Sequence, residues 1–288
     1  MTGMDAAVET RRRERPSGGG SGAVRELTHS TWVIARRGLA HMRREPEALA
    51  DATIQPIMFT VLFAYVFGGA IKVPDGGSYK EFLMGGIFAQ TLTFSLFGTA
   101  MALASDRKNG AVDRFRSLPI PRGALLSGHA VASLLRATLP ITLMSLSGLL
   151  IGWRIHSSVP EAIGGFALMF AFSFAIIWLG VLLAAAVGTP EAVQGIAFIF
   201  IFPLTFVAST FVPVSTLPEP LKTFAEWNPI SAVADALRKL FENPGAHPLP
   251  SAPWPMHHPI EYSVIWIVAI VVICAPIAVK MYQRSIAS

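Results

Sequence analysis

Three polar side chains lie inside long apolar stretches of the sequence, and polar groups in such places are rare and usually functional. They are Gln90, His129 and Arg136. Arg136 follows His129 by seven residues, so a helix would carry both on one face. A cation there would line a transport path, pair across a dimer seam or contact an anionic headgroup, unless the helix begins in the cytosol and Arg136 only extends to the membrane surface. Gln90 fits either a transport path or the packing of one helix on another.

The sequence offers little for catalysis or metal binding. The adjacent His257 and His258 lack carboxylates or thiolates at ligand spacing, so we assign them to a loop and expect no metal site. No arrangement resembles a catalytic triad. A phosphate-binding loop needs the pattern GxxxxGK followed by Ser or Thr, and the chain contains no Gly-Lys dipeptide. We therefore expect no enzymatic chemistry, no cofactor held by this chain and no nucleotide site of its own.

A charged stretch at 105–122 contains a short apolar ridge with a residue at every third position. The ridge consists of Val112, Phe115 and Leu118, and the charges around it are Asp113, Arg114 and Arg116. This spacing predicts a short helix that ends before Pro119. Such a ridge fits a groove in a partner protein; the alternative is a short amphipathic turn on the chain's own membrane surface.

The elements that carry these residues are apolar enough for lipid. Of the 288 residues, 52% are hydrophobic and 14% are charged, and the mean hydropathy is +0.53, whereas a soluble domain has about 25% charged residues. Runs of about 20 apolar residues, the length that crosses a bilayer, predict an all-α polytopic membrane protein with six spans. The predicted spans are 52–71, 82–104, 124–151, 162–187, 192–212 and 262–281.

The distribution of Lys and Arg predicts the orientation of the chain. Sixteen of them lie at the termini and in the loops on the same side, six lie on the opposite side, and Arg136 lies within the third span. Because positive charge favours the cytosolic side, both termini are predicted to be cytosolic, in the inner membrane of a bacterium. The net charge of +5 arises mostly from these flanking residues, so we expect membrane lipid as a partner and no nucleic acid.

Two segments precede the predicted spans. Residues 1–23 are basic and glycine-rich, which predicts a disordered cytosolic tail. Residues 24–50 contain apolar residues spaced by three and four, which predicts an amphipathic helix in the membrane interface, or else a cytosolic helix packed on the rest of the protein. The six-span domain then covers 51–288. A single cysteine, Cys274, excludes an internal disulfide.

The stretch 213–261 contains ten prolines and so cannot form one continuous helix. Residues 216–226 and 230–242 keep helical spacing, which predicts short helices. These helices would enter the outer leaflet and turn back, at the outward end of a transport route, or would lie in a loop outside the bilayer.

Three pieces of the sequence resemble the type 2 ABC exporter permeases, in particular the daunorubicin-resistance permease group. They are 113–119, 189–193, and 211–218 with the Asn228-Pro229-Ile230 that follows. The resemblance implies the ABC-2 exporter fold, with a membrane-surface helix at 24–44 and extracellular re-entrant helices at 213–243. It also implies that 106–120, from Asp106 through the apolar ridge, is a coupling helix that docks on a cytosolic ATPase.

The resemblance further implies a set of partners. They are two copies of an ABC ATPase subunit that holds the ATP and Mg²⁺, a second permease copy in a homodimer or a related permease, and a hydrophobic or amphipathic cargo such as a drug, antibiotic or lipid. The alternative is a secondary transporter or integral membrane enzyme that needs no ATPase. Ion-coupled carriers place several ionisable residues at mid-span, whereas Arg136 is the one clear candidate here, so the sequence favours the exporter.

Overall fold

The computed structural model of the protein describes residues 46–73, 76–108, 124–187, 189–245 and 248–287. All regular structure in these ranges is helical, which confirms the prediction of an all-α protein there. The helices are α1 (Pro46–Val66), α2 (Tyr79–Lys108), α3 (Ala124–Ile151), α4 (Val159–Ala186), α5 (Pro190–Phe206), α6 (Leu221–Glu226), α7 (Pro229–Leu240), α8 (Trp254–His257) and α9 (Pro259–Ala287). A 3-10 turn, Val214–Thr216, lies between α5 and α6.

Helices of the lengths expected for a membrane protein dominate the described ranges. Three of them contain segments long and apolar enough to cross a bilayer: Tyr79–Ser105, Val159–Ala186 and Pro259–Met281. Shorter apolar segments lie in α1, α3 and α5. Each of the six predicted spans overlaps a helix, and three of those helices have the length and hydropathy of a membrane span, so the protein is a membrane-embedded helical bundle.

Three helices begin at the residue types that favour a helix start. Ser158 precedes α4, and Glu161 Oε2 accepts hydrogen bonds from its backbone N (3.1 Å) and its Oγ (2.6 Å). Thr189 Oγ1 caps α5 by accepting from the backbone N of Ala192 at 3.3 Å. Asn228 Oδ1 caps α7 in the same way, accepting from Ile230 N at 2.8 Å. Proline occupies the first or second helical position in all three, where its missing N–H is not needed.

Helices α2 and α4 form the centre of the bundle and pack against each other. Helix α9 packs on α4, α5 packs on α2, and α1 packs on α2 and α3. The core residues are large and fully buried, among them Phe82, Phe88, Leu92, Phe172 and Ile177. Helix α7 lies against α2, α4 and α9 at one end of the bundle. The interior is therefore closed at that end by a short helix that does not itself cross the membrane.

Helices α1 and α5 each end several residues before the predicted spans do. Helix α1 starts at Pro46 rather than 52, because proline fits the first turn of a helix, and it ends at Val66 rather than 71. A side chain at Gly68 would overlap the Ala64 carbonyl oxygen, so the tight turn after α1 requires glycine there. Helix α5 ends at Phe206 rather than 212, because the following residues turn and join the short helices.

Several predictions concern residues outside the described ranges. They are the tail at 1–23, most of the interfacial helix at 24–50, and Val112, Asp113, Arg114, Phe115, Arg116 and Leu118 of the ridge. Asp106 belongs to α2, and His129 and Arg136 belong to α3, but their side chains are outside the described set. These predictions stay predictions.

Candidate functional site

We use the name cap for residues 207–245, which include the 3-10 turn, α6 and α7. The cap lies at the end of the bundle where α5 ends and α2 begins. The charge pattern predicts this end to be external. Its two short helices, Leu221–Glu226 and Pro229–Leu240, overlap the predicted segments 216–226 and 230–242.

Arg238 is the most completely buried charged residue of the cap, with none of its surface exposed. Its Nε donates to the Phe82 carbonyl oxygen of α2 at 2.8 Å. Its Nη1 donates to Asp235 Oδ1 and to Ser209 Oγ, the latter at 3.0 Å. Its Nη2 donates to the backbone carbonyl oxygens of Ser209 (2.6 Å) and Thr210 (3.5 Å). One guanidinium thus joins α7, the segment after α5, and α2.

Asp235 supplies the negative charge that a buried guanidinium requires. It lies three residues before Arg238 on α7 and is 8% exposed. Ser209 Oγ donates to Asp235 Oδ1 at 3.0 Å, and the Ser209 backbone N donates to Ser231 Oγ at 2.9 Å. The pair is therefore embedded in a hydrogen-bond network of the kind that makes a buried ion pair tolerable. We call Arg238, Asp235 and Ser209 the Arg238 cluster.

Small residues on α2 bring the cap close enough for these bonds. A side chain at Gly85 would come within 2.8 Å of the Ala234 carbonyl oxygen and 2.9 Å of Arg238 Cγ. A side chain at the neighbouring Gly86 would overlap the Thr210 backbone. The Phe82 ring lies under the guanidinium, 3.7 Å from its central carbon to the ring centroid, which adds a cation–π contact. The outer turns of α2 are therefore shaped to receive the cap.

Further bonds tie the cap to the neighbouring helices. Asn243 Oδ1 accepts from Trp153 Nε1 at 2.7 Å, and Asn243 Nδ2 donates to the Arg154 carbonyl oxygen at 2.8 Å, on the loop after α3. The Tyr79 hydroxyl donates to the Phe211 carbonyl oxygen at 2.9 Å. Asn228 Nδ2 donates to the Leu204 carbonyl oxygen of α5 at 2.7 Å. The cap is thus attached to α2, α5 and the α3–α4 loop.

A cavity of about 190 Å³ lies beside the Arg238 cluster. Its wall includes Phe82, Val214, Asp235 and Leu249. Ligand pockets for drug-sized molecules run from about 300 to 1,000 Å³, so this cavity is too small for a whole cargo molecule. Within the described residues, no three His, Cys, Asp or Glu side chains lie close enough to bind a metal ion.

The opposite end of α2 is held differently. Lys108 Nζ and Glu191 Oε1 form an ion pair at 3.2 Å between α2 and the first turn of α5, and both side chains are more than half exposed. Glu191 lies where an acid at a helix N-terminus is expected. Its ion pair with Lys108 is a contact that the sequence gives no reason to expect.

Gln90, one of the three polar residues in the predicted spans, lies in α2 and is 3% exposed. Its Nε2 has no hydrogen-bond partner among the described residues. The side chain therefore faces the packed interior of the bundle, while the side chains of His129 and Arg136 lie outside the described set. Its role on a transport path stays a prediction.

Neither residue of the buried ion pair was predicted as a site residue: Arg238 was only counted among the basic residues, and Asp235 was not named. One signal was present: an acid and a base three residues apart within the helical run 230–242, whose other residues are mostly apolar. Such a pair is more often solvent-exposed, and the burial of all faces of α7 is a tertiary property.

Aromatic side chains form a ladder on α1 and α5. Phe198, Phe202 and Phe206 stack along α5 with ring centroids 4.8 and 4.2 Å apart. Phe211 of the cap continues the ladder to Phe63 of α1, at 4.2 Å. The exposed face of α9 is aliphatic by contrast, with Val264, Ile265, Val268, Val272, Ile273 and Ile277.

Comparison with known proteins identifies the family to which the chain belongs. The family described as ABC-2 type transporter matches residues 29–241. The daunorubicin resistance ABC transporter permease protein DrrB1 of Streptomyces coeruleorubidus is 30% identical over 74% of each chain. The probable doxorubicin resistance permease DrrC of Mycobacterium tuberculosis is 24% identical over 93% of each chain. The probable multidrug permease YbhR of Escherichia coli is 24% identical over 57% of this chain and 44% of that protein. The chain belongs to the ABC-2 type transporter family and is a membrane permease of that family.

Proposed function

We propose that the chain is the transmembrane subunit of an ATP-binding cassette exporter. It would move a hydrophobic or amphipathic compound out of the cytosol or the inner leaflet, with the energy supplied by two copies of a separate ABC ATPase that holds ATP and Mg²⁺. The observation that carries this proposal is the family match over 29–241, together with relatives named as drug-resistance permeases. Doxorubicin and daunorubicin, which those names contain, are the first cargo probes to use.

The proposed topology has six crossings, formed by α1 to α5 and α9, with both termini in the cytosol of a bacterium. The charge bias of the loops supports this orientation. Helix α2 has 30 residues and so measures about 45 Å, close to the full thickness of a bilayer with its headgroups, about 40–45 Å. The cap would then lie at the external surface, with α6 and α7 dipping into the outer leaflet as re-entrant helices.

The proposed contact with the ATPase is the segment 106–120, which begins in the last turn of α2. The spacing of Val112, Phe115 and Leu118 supports a rigid ridge that inserts into a groove of the partner. Lys108, the last residue of α2, pairs with Glu191 of α5, so α2 and α5 meet near this contact. A displacement of the ridge would therefore be delivered to both helices.

Replacing Phe115 tests this function. In a complex of the chain with its ABC ATPase, Phe115→Ala should leave membrane insertion intact and reduce cargo-stimulated ATP hydrolysis and export, because the ridge loses its largest apolar contact. Ser117→Ala, a change on the same segment outside the ridge, is the matched control. Coupled turnover equal to that of the control would reject the docking role. Export driven by an ion gradient, with no ATPase recovered with the tagged chain, would support a secondary transporter instead.

We also propose that a second copy of the chain packs on the aromatic face of α5. Aromatic residues are enriched in protein interfaces, whereas the aliphatic face of α9 suits lipid. Phe198, Ile199 and Phe200 are 54%, 68% and 71% exposed, which leaves a large apolar surface for a symmetric partner.

Cysteine cross-linking tests this interface. Replacing Cys274 with Ala removes the native thiol, and Ile199→Cys then places one thiol on α5. Oxidation of the Ile199→Cys variant should produce a covalent dimer in membranes. The Val268→Cys variant, with its thiol on the exposed aliphatic face of α9, should remain monomeric. Cross-linking through Val268→Cys and not through Ile199→Cys would place the dimer elsewhere.

A further inference from the structure

Helix α2 joins the cap to the proposed ATPase contact without a break. It has no proline inside it, whereas α1, α3, α5 and α9 contain Pro56, Pro140, Pro203 and Pro276. Prolines inside helices are common sites of kinks, and α2 has none; its glycine pair, Gly85 and Gly86, lies at the cap, so the rest of the helix has no glycine pair either. Helix α4 also lacks an internal proline, but its Ala186 end leads into α5 and not into 106–120. A displacement of the coupling segment 106–120 would therefore be transmitted along α2 to its other end.

One side chain of the cap, Arg238, makes both a hydrogen bond and a ring contact with α2. Arg238 reaches the Phe82 carbonyl oxygen of α2 and two backbone carbonyl oxygens of the cap, at Ser209 and Thr210, from a single planar group. The Arg238 side chain itself is fully buried. If α2 slid relative to the cap, Arg238 would lose its hydrogen bond to Phe82 and its contact with the Phe82 ring, and a charged group would remain buried with fewer partners. Such a slip is therefore unfavourable, so the two parts are expected to move together.

We propose that Arg238 is the positioning residue that couples α2 to the cap, so that an ATP-driven shift of α2 moves the cap at the far side of the membrane. This inference rests on the proposed function. Arginine suits the role because its fixed fork of donors binds several acceptors in one geometry, whereas a lysine ammonium is a single point charge. Gly85 and Gly86 belong to the same contact between α2 and the cap, since any side chain there would push the cap away from α2.

The test uses the complex of the full chain with its ABC ATPase in lipid nanodiscs. Cys274→Ala removes the native thiol, and Ser215→Cys places a reporter on the exposed surface of the cap. The labelling rate of this thiol by a maleimide is measured without nucleotide and with a non-hydrolysable ATP analogue. With Arg238 present, nucleotide should change the labelling rate by about tenfold, within the usual range of allosteric coupling.

Three variants test whether the change in labelling rate depends on Arg238. Arg238→Met keeps an apolar side chain and should bring the ratio of labelling rates close to one, while basal ATP hydrolysis persists. Arg238→Lys keeps the charge and should retain part of the ratio. Lys239→Met, at the exposed neighbouring position, is the matched control and should leave the ratio unchanged. A purely structural role would lower the yield of folded protein but would not change this ratio in the folded fraction.

A double variant tests the proposal if Arg238→Met does not fold. Asp235→Leu combined with Arg238→Met removes both charges, so no unpaired charge is buried, and it should show the same loss of the labelling ratio. If either variant exports its cargo with ATP and keeps the full ratio of labelling rates, coupling through Arg238 is wrong and the proposed function still holds. Absence of ATP-driven export in the unmodified complex overturns the proposed function, and the inference with it.

Discussion

The two ends of α2 are held in opposite ways. At the Tyr79 end, a buried guanidinium, a tyrosine hydroxyl and two glycines fix the helix to the cap. At the Lys108 end, the described residues show one ion pair, between side chains that are 59% and 71% exposed. Buried charged networks are costly to break, whereas exposed ion pairs contribute little to stability. Among the described residues, the polar contacts of the helix are therefore buried at one end and exposed at the other.

This difference matches the division of labour in the proposed exporter. A helix that transmits movement must be fixed to what it moves and must present its other end to the source of the movement. Attachment at the cap and the exposed side chain of Lys108 at the other end fit both conditions. Replacements at the two ends should therefore differ strongly in their effect on stability.

The largest effect is expected at Asp235. Asp235→Leu leaves the Arg238 guanidinium buried without its counter-charge, which should lower the free energy of unfolding by about 3–5 kcal/mol. Denaturant titration of the purified chain in detergent micelles measures it. The double variant Asp235→Leu/Arg238→Met should recover most of this loss, because a buried ion pair replaced by apolar side chains is often neutral. Equal losses in the single and double variants would contradict the importance of the unpaired charge.

A smaller loss is expected at the contact between α2 and the cap. Gly86→Ala places a methyl group against the Thr210 backbone, and such overpacking should lower the free energy of unfolding by about 1–3 kcal/mol. Gly98→Ala is the control on the same helix, where an added side chain meets nothing within 4 Å. That variant should be stabilised by about 1 kcal/mol, since alanine favours helix more than glycine does. Similar values for the two variants would show that the cap does not press on α2.

The smallest effect is expected at the other end. Lys108→Ala and Glu191→Ala should each leave the thermal midpoint of the purified chain unchanged within error, because exposed ion pairs are weak and screened by salt. Thermal unfolding at low and high salt checks this. A marked drop in the midpoint for either variant would remove the contrast between the two ends of α2.

Much of the helical bundle could be predicted from the sequence, because the spans depend on local apolar composition. The predicted 124–151 agrees with α3 (Ala124–Ile151), and 82–104 lies inside α2. The cap could be predicted only as short helices. Its attachment depends on the approach of Gly86 to Thr210, residues far apart in the chain, and hydrophobic periodicity carries no such information. The burial of Arg238 could not be predicted for the same reason, since the pair with Asp235 also fits an exposed helix face.

The apolar ridge around Phe115 was predicted from the spacing of its residues, and its docking on an ATPase from the family resemblance. The ridge lies outside the described ranges, so both stay predictions. Local periodicity can predict such a ridge because its residues, unlike those of the Arg238 cluster, are neighbours in the chain.

The most direct test of the account is transport by purified components in lipid vesicles. The chain alone, the chain with its ABC ATPase, and the same complex carrying Phe115→Ala are compared for ATP-dependent movement of a fluorescent amphiphile. We expect movement only in the unmodified complex, with the chain alone inactive and Phe115→Ala strongly reduced. Robust pumping by the chain alone would contradict the central claim that a separate ATPase drives this permease.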